Sequence, residues 1–186
     1  LKILRLELGV KAPCIVGEDA DIGAAVKAAV ASRFENCGQI CICNERMYVH
    51  ERIADEFMEK FVGAVAKLKV GNPLEPVDVG PKFSAAELTK VERMVDAATK
   101  AGAKVLTGGR RLTEGEFGRG YWYQPTVIAA PDNRLAIVQQ EVFGPVLAVV
   151  RVDTYDEAVR LVNEHAFGNG TAIFTRDGGA ARRYQF

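Results

Sequence analysis

The sequence shows no excess charge of either sign and no long apolar run. Its 24 lysine and arginine residues balance 24 aspartate and glutamate residues, so the formal net charge is zero. A surface that binds nucleic acid or an anionic membrane usually shows as an excess of positive charge. No apolar run approaches the roughly 20 residues that a membrane-spanning helix needs. We therefore expect neither nucleic acid nor a membrane among the partners.

Complete glycine signatures for phosphate binding are also missing. Neither G-x-G-x-x-G nor G-x-x-x-x-G-K-[ST] occurs, and the Gly-x-Gly pairs at 118–120 and 168–170 lack the third glycine. Such loops hold the pyrophosphate of a dinucleotide with backbone N–H groups. The sequence therefore predicts no pyrophosphate-binding loop in this chain.

No cysteine follows residue 43, and the four that precede it fit no common metal or disulfide pattern. Cys37, Cys41 and Cys43 read C-x3-C-x-C, which matches neither a zinc half-site nor an iron–sulfur spacing. We therefore predict no metal site. Without a disulfide framework, a reducing, cytoplasmic location is favoured. Cys14 lies in the apolar run 12–16 and is predicted to be part of the core.

Cys41 has a different setting, because it follows a Gly-Gln turn and precedes an apolar strand. A thiol attacks a carbonyl group only as its thiolate and only from an accessible position. A loop fixed between a helix and a strand gives access without loss of rigidity. Cys41 is therefore the candidate nucleophile.

Histidine is scarce, with His50 and His165 as the only two. A Cys–His acyl hydrolase would need one of them as the base beside Cys41. His50 lies at the far end of the strand after Cys41, about 30 Å away if that strand is straight. His165 closes a predicted helix. An acyl hydrolase remains an alternative that this placement weakens.

Three stretches resemble motifs of the aldehyde dehydrogenase superfamily, in the same order. Gly38-Gln-Ile-Cys41, with Arg46 five residues beyond the cysteine, is similar to the nucleophile motif. Residues 6–13 resemble the Glu-Leu-Gly-Gly-Lys segment, and residues 141–146 match Glu-x-Phe-Gly-Pro. The resemblance covers essentially the whole chain. Residues 32–49 look most like lactaldehyde and glycolaldehyde dehydrogenases, whereas residues 167–175 resemble methylmalonate semialdehyde dehydrogenases.

This resemblance implies oxidation of a small aldehyde to its acid with NAD or NADP as cofactor. Cys41 would form a thiohemiacetal and then a thioester, and its backbone N–H would donate to the oxyanion. Glu7 would be the base that activates water for hydrolysis. Glu141 would accept from the ribose hydroxyls, Phe143 would pack near the nicotinamide ring, and Gly9 would lie in the same cofactor site. The family also implies a homo-oligomer, a dimer or tetramer.

Each of these residues also has an ordinary interpretation. Taken alone, Glu7 is a surface glutamate on a strand, Glu141 a residue of a solvated turn, and Phe143 a core residue. A catalytically silent module of the same fold is therefore a further alternative. Val10 stands where the family usually has a second glycine, and its β-branched side chain would narrow the nicotinamide site.

Apolar patterns predict alternating strands and helices without an internal repeat. The predicted strands are 13–16, 45–50, 104–107, 126–129, 146–152 and 171–175, and the predicted helices are 22–33, 53–68, 85–101 and 155–164, with another from 178. A loop is predicted over 113–120. Strands separated by amphipathic helices indicate a three-layer α/β fold, a largely parallel sheet with helices on both faces.

The domain organisation follows from the resemblance. Residues 1–186 are predicted to form the thiol-bearing catalytic domain, without the upstream cofactor-binding domain. The chain begins at Leu1 without a methionine and stops at Phe186 within a helical pattern. We therefore expect it to be a piece of a longer protein and to be inactive by itself.

Overall fold

A computed structural model describes residue 3 and residues 8–185 of the chain. The described part contains eight strands, β1 Pro13–Val16, β2 Arg46–His50, β3 Lys104–Thr107, β4 Arg111–Leu112, β5 Trp122–Tyr123, β6 Thr126–Ala129, β7 Val146–Val152 and β8 Ala172–Phe174. Its six helices are α1 Ile22–Phe34, α2 Glu51–Val65, α3 Ala85–Lys100, α4 Ala136–Gln139, α5 Tyr155–Asn163 and α6 Gly178–Gln185. None of these helices is long and apolar enough to cross a bilayer.

Six strands form one sheet in the order β3-β6-β7-β2-β1-β8. Five of them run parallel, and β3 pairs antiparallel with β6. Parallel neighbours need a crossover, but the chain between β3 and β6 holds only the short β4–β5 hairpin and a 3₁₀ turn over residues 115–118. The predicted largely parallel sheet is confirmed, with this one antiparallel edge strand.

Helices cover both faces of the sheet, as a three-layer fold requires. Alternate residues of a strand point to opposite faces, so Cys14 and Val16 of β1 pack with α1 and α2, whereas Ile15 packs with α3, α4 and α5. On the first face, Phe57 and Phe61 stack at the centre of the core, with ring centroids 5.5 Å apart. Both faces of the sheet are therefore buried, and the core prediction for Cys14 is confirmed.

The helix boundaries follow local chemistry. Side chains of Asp21, His50, Ser84 and Thr154 accept hydrogen bonds from backbone N–H groups in the first turns of α1, α2, α3 and α5. The regular part of α2 ends at Val65, earlier than the predicted 68. Lys67 and Leu68 donate to carbonyls three residues back, and this tighter turn replaces the α-helical pattern.

The common direction of the parallel strands sorts the loops into two groups. Residues 9–12, 35–45, 140–145 and 165–171 precede β1, β2, β7 and β8, so these four loops collect at what we call the amino edge of the sheet. The opposite, carboxyl edge contains a cavity of about 430 Å³, lined by residues that include His50, Asp153 and Thr175.

Candidate active site at the amino edge

Cys41 is exposed, whereas the other three cysteines, all in the described part of the chain, are buried. Burial raises the pKa of Cys14 to about 12 and that of Cys37 to about 11, and it also raises the pKa of Cys43. The spacing of Cys41 and Cys43 in the sequence could not show which of the two thiols is the nucleophile. Their exposure does, because a nucleophile has to be reached by its substrate.

Asn169 fixes the backbone at Cys41 from a neighbouring loop. Its Nδ2 donates to the Cys41 carbonyl oxygen at 2.9 Å. Asn169 adopts a φ of 117°, which few residues other than glycine do. The next glycine in that loop, Gly170, lies close to the side chain of Ile42. The Cys41 loop and the loop before β8 are therefore packed together.

Gly38 brings the cysteine motif against the Glu-x-Phe-Gly-Pro motif. It has a φ of 69°, and its carbonyl accepts from Arg33 Nη2 at 2.6 Å. A Cβ atom at this position would overlap both the Arg33 guanidinium and the carbonyl oxygen of Gly144. The close approach of these two turns thus requires glycine at position 38.

Glu45 is a buried carboxylate that joins three of the loops. Its Oε2 atom accepts from Lys11 Nζ at 3.0 Å and from the Val142 N–H at 2.9 Å. Its Oε1 atom accepts from the Phe143 N–H at 2.7 Å and lies 3.6 Å from Arg33 Nη1. The carboxylate therefore connects the loops that precede β1, β2 and β7.

The charged groups in this network shift one another's pKa values. Burial alone would raise the pKa of Glu45, but Lys11, Arg33 and the Val142 N–H outweigh it and hold the pKa below its ordinary value. Burial lowers the pKa of Lys11 to about 8, although Glu45 acts in the opposite direction. A carboxylate with this many donors remains ionised at neutral pH.

Phe143 and Glu141 lie half-buried at the same edge. Phe143 adopts a φ of 50°, with its N–H bonded to Glu45 and its carbonyl oxygen bonded to Lys82 Nζ. Burial, and then the charge of Glu45, raises the pKa of Glu141, against the backbone N–H of Val10. The structure thus brings the predicted cofactor residues Glu141 and Phe143 next to the loop that carries Val10.

Of the Glu-Leu-Gly motif, Gly9 and Val10 are described and Glu7 is not. Gly9 is exposed, and a Cβ atom there would lie 3.4 Å from the Phe167 ring. Val10 is buried and does not have a positive φ, so its backbone conformation is open to residues other than glycine. Glu7, the predicted base, lies outside the described residues.

The two histidines lie at opposite edges of the sheet. His50 lies at the carboxyl end of β2, opposite the cysteine, where its Nδ1 accepts from the Arg52 N–H. His165 follows α5, and its Nδ1 accepts from the Phe167 N–H at 3.0 Å. His50 is therefore at the wrong edge to act as a base for Cys41, whereas His165 shares its loop with Asn169, which bonds to the Cys41 carbonyl. Among the described residues, no three His, Cys, Asp or Glu side chains are grouped to hold a metal ion.

Sequence reasoning missed the charged residues that hold the loops. Lys11, Arg33, Glu45 and Lys82 are all buried. The available signal was the position of two charged residues beside apolar strands, because Lys11 lies two residues before β1 and Glu45 lies directly before β2. Charged side chains are rarely fully buried unless they are paired. Arg46, noted only as part of the motif, donates to the Lys11 carbonyl at 2.9 Å and to the Leu161 carbonyl at 3.1 Å.

The fold and the motifs define a family. The family model described as the aldehyde dehydrogenase family matches residues 1–185, and the chain belongs to that family.

Two curated relatives and one solved structure make the likeness more specific. The chain is 50% identical over 175 residues to a 3,6-anhydro-alpha-L-galactose dehydrogenase from Vibrio sp. (strain EJY3), covering 94% of this chain and 36% of that protein. It is 42% identical over 174 residues to the lactaldehyde dehydrogenase of Escherichia coli (strain K12), covering 92% of this chain and 36% of that protein. The predicted likeness to lactaldehyde dehydrogenases is thus confirmed.

The solved structure is that of a 3,6-anhydro-L-galactose dehydrogenase in complex with NAP. It superimposes with a TM-score of 0.94 and 46% identity, and covers 96% of this chain and 38% of that one. The chain therefore spans well under half the length of the proteins that it matches.

Proposed function

We propose that this chain forms the thiol-bearing part of an NAD(P)-dependent aldehyde dehydrogenase that oxidises a small aldehyde to its carboxylic acid. The observation that carries the proposal is the exposure of Cys41 on a loop packed against the turn of Phe143 and Gly144, while the other cysteines are buried. Residues 1–186 act as the catalytic domain in this proposal.

In the proposed mechanism, the Cys41 thiolate adds to the aldehyde carbon and forms a thiohemiacetal. The Cys41 backbone N–H donates to the oxygen that becomes negative. A dinucleotide bound at this edge would supply the acceptor for the hydride that leaves this carbon. The resulting thioester on Cys41 is attacked by water, whose proton Glu7 accepts, and the acid leaves with release of the thiolate.

The residues at the amino edge fit the nicotinamide half of such a cofactor. Glu141 is half-buried and offers carboxylate oxygens as acceptors for ribose hydroxyls, while Phe143 presents an aromatic ring from a turn with a fixed backbone. The family resemblance gives both residues these roles. Whether the cofactor is NAD or NADP is decided by residues other than these.

The role of Glu7 is tested in a full-length aldehyde dehydrogenase that contains this sequence. An amide cannot accept the proton of water at neutral pH, whereas attack by Cys41 can still proceed. We therefore expect Glu7→Gln to give one burst of reduced cofactor, followed by slow turnover and an accumulated thioester that mass spectrometry detects. A wild type that forms acyl-coenzyme A faster than the free acid would contradict the hydrolytic role.

The substrate is tested with a panel of short aldehydes. The panel takes its aldehydes from the names of the relatives and of the dehydrogenases that the sequence resembles. They are lactaldehyde, glycolaldehyde, methylmalonate semialdehyde and 3,6-anhydro-L-galactose. We expect oxidation of at least one of them with NAD or NADP, and Cys41→Ser as the matched control without activity. A wild type that oxidises none and instead hydrolyses thioesters without a cofactor would favour the acyl hydrolase.

The remaining proposals concern the assembly. We propose a cytoplasmic homo-oligomer, a dimer or tetramer, which light scattering of the full-length protein measures. The 186-residue chain alone is expected to bind NAD or NADP only at about millimolar strength, near 4 kcal/mol. Calorimetric titration tests this, and micromolar binding with steady aldehyde oxidation would contradict it.

A further inference from the structure

Phe143 has a backbone conformation that needs support. Its φ of 50° lies in the left-handed region, which bulky residues rarely adopt. Such conformations persist where the surroundings hold them, and they concentrate at ligand-binding sites. Two charged side chains hold this one: Glu45 accepts from the Phe143 N–H, and Lys82 donates to the Phe143 carbonyl oxygen.

Lys82 is an unusual residue for this task, because it is buried. Only 1% of it is exposed, and within the described residues no carboxylate lies within ion-pair distance of its Nζ atom. The ammonium lies 5.6 Å from the centroid of the Phe143 ring and 5.5 Å from that of Phe83. A buried ammonium is costly, and an apolar side chain would fill the same space without that cost. Stability alone therefore does not account for a lysine here.

The surroundings of Lys82 connect it to the cysteine loop. Its neighbours Pro81 and Phe83 both bond to the side chain of Gln39, which lies two residues before Cys41. The next residue after Phe143, Gly144, packs against Gly38. The segment that carries the nucleophile thus contacts Gly144 and both neighbours of Lys82, and these contacts resist a shift of the Phe143 turn.

We propose that Lys82 is a positioning residue of the cofactor site, which orients the Phe143 ring at the nicotinamide by holding the Phe143 carbonyl oxygen. The proposal rests on the function proposed above, in which Phe143 packs near that ring. Lys82 acts through the backbone of Phe143 and touches neither the aldehyde nor the thiolate. Its removal is therefore expected to affect cofactor binding more than the step at Cys41.

The test is a double-mutant cycle in a full-length aldehyde dehydrogenase that contains this sequence. Lys82→Met keeps the length of the side chain and removes the donor. We expect it to raise the KM for NAD(P) at least 10-fold while the aldehyde KM changes less than 3-fold. In the Phe143→Ala background no ring remains to be positioned, so the same change is expected to add less than 2-fold.

Two further variants complete the design. Lys82→Gln keeps an N–H donor without the charge and is expected to raise the cofactor KM 2- to 5-fold. If Lys82→Met does not fold, the double-mutant cycle is carried out with Lys82→Gln in its place. Lys60→Met removes an exposed lysine on α2, paired with Glu56, and is expected to leave all kinetic constants unchanged.

The outcomes are distinct. A cofactor KM that is unchanged in both Lys82 variants overturns the proposal. So does a rise that persists undiminished in the Phe143→Ala background, because it indicates general structural damage. A wild type without aldehyde oxidation overturns the proposed function itself, and this inference with it.

Discussion

The two edges of the central sheet are built differently, although the same strands connect them. At the carboxyl edge, helices begin with ordinary side-chain caps, and charged groups such as Arg52 and Glu18 pair in solvent. At the amino edge, Lys11, Arg33, Glu45 and Lys82 are buried. All four described residues other than glycine with positive φ, namely Asn36, Cys37, Phe143 and Asn169, also lie in the loops of the amino edge.

This difference indicates where the fold fixes geometry at a cost in stability. Buried charges and left-handed backbone conformations are unfavourable unless their surroundings compensate them, and they recur at functional sites. At the carboxyl edge, side-chain caps at His50 and Thr154 start the helices without a buried charge. Four tests probe this difference, in order of expected effect.

The largest effect is expected on activity at the amino edge. In the full-length enzyme, Cys41→Ser should reduce aldehyde oxidation by about 10³-fold or more, because a serine hydroxyl is a far weaker nucleophile than a thiolate. Cys43→Ser should retain most of the activity, since the Cys43 thiol is buried. Steady-state assays of both variants check this. Comparable losses in the two variants would reverse the assignment of the nucleophile.

The second test compares a buried carboxylate with an exposed one. Glu45→Gln leaves Lys11 without its partner and should lower the free energy of unfolding by about 3 to 5 kcal/mol. Glu18→Gln, at the exposed pair of the carboxyl edge, should change it by about 1 kcal/mol or less. Urea unfolding of the 186-residue chain measures both.

Acid should reduce this difference. The pKa of Glu45 is below its ordinary value in the folded chain, so its contribution is present above about pH 4.5 and is lost as the pH falls through the folded value. The wild type and Glu45→Gln should therefore converge in stability under acid conditions. A gap that stays constant down to the acid unfolding transition would contradict a stabilising charge at Glu45.

The third test uses two glycines with similar backbone angles. Gly38 and Gly115 have φ values of 69° and 59°, but a Cβ atom would overlap other atoms only at Gly38. Gly115→Ala should lower the free energy of unfolding by about 1 to 2 kcal/mol, because of the backbone conformation alone. Gly38→Ala should cost about 2 to 5 kcal/mol, because strain and overlap add. Equal costs would show that the two motifs are not in tight contact.

The smallest effect is expected at a helix cap of the carboxyl edge. Thr154 accepts from the Glu157 N–H at 3.1 Å, and Glu157 in turn accepts from the Asp153 N–H at 2.8 Å. Thr154→Ala should lower the free energy of unfolding by about 1 kcal/mol and leave aldehyde oxidation unchanged. A loss of activity without a loss of stability would mean that the carboxyl edge also serves the reaction.

Much of the fold could be predicted because its signals are local. The apolar runs 13–16 and 146–152 are strands with those bounds, and the capping pattern at Thr154 marks the start of α5. The β4–β5 hairpin and α4 were not predicted. Two-residue strands and a single helical turn are too short to show a periodicity, and their pairing depends on distant residues.

The candidate site could likewise be predicted only in part. Since parallel strands share one direction, motifs that precede β1, β2 and β7 must meet at one edge of the sheet. This meeting could be predicted, because the sequence shows that each motif directly precedes a strand. The partners of Glu45 and Lys82 could not be predicted, because Phe143 lies 98 and 61 residues away from them, respectively. Nothing in the local pattern relates those positions.

The distance along the chain between Glu45 and Phe143 has a consequence for synthesis. A ribosome adds about 5 to 20 residues per second, so about 5 to 20 s pass between the two residues. During that time, β1, α1, β2 and α2 exist without the N–H groups that Glu45 will accept from. Lys11 and Arg33 precede Glu45 in the chain and are already present, but the bonds from Glu45 to the loop before β7 require residues 142 and 143. The loop that carries the thiol can therefore be joined to the Phe143 turn only after most of the chain has been made.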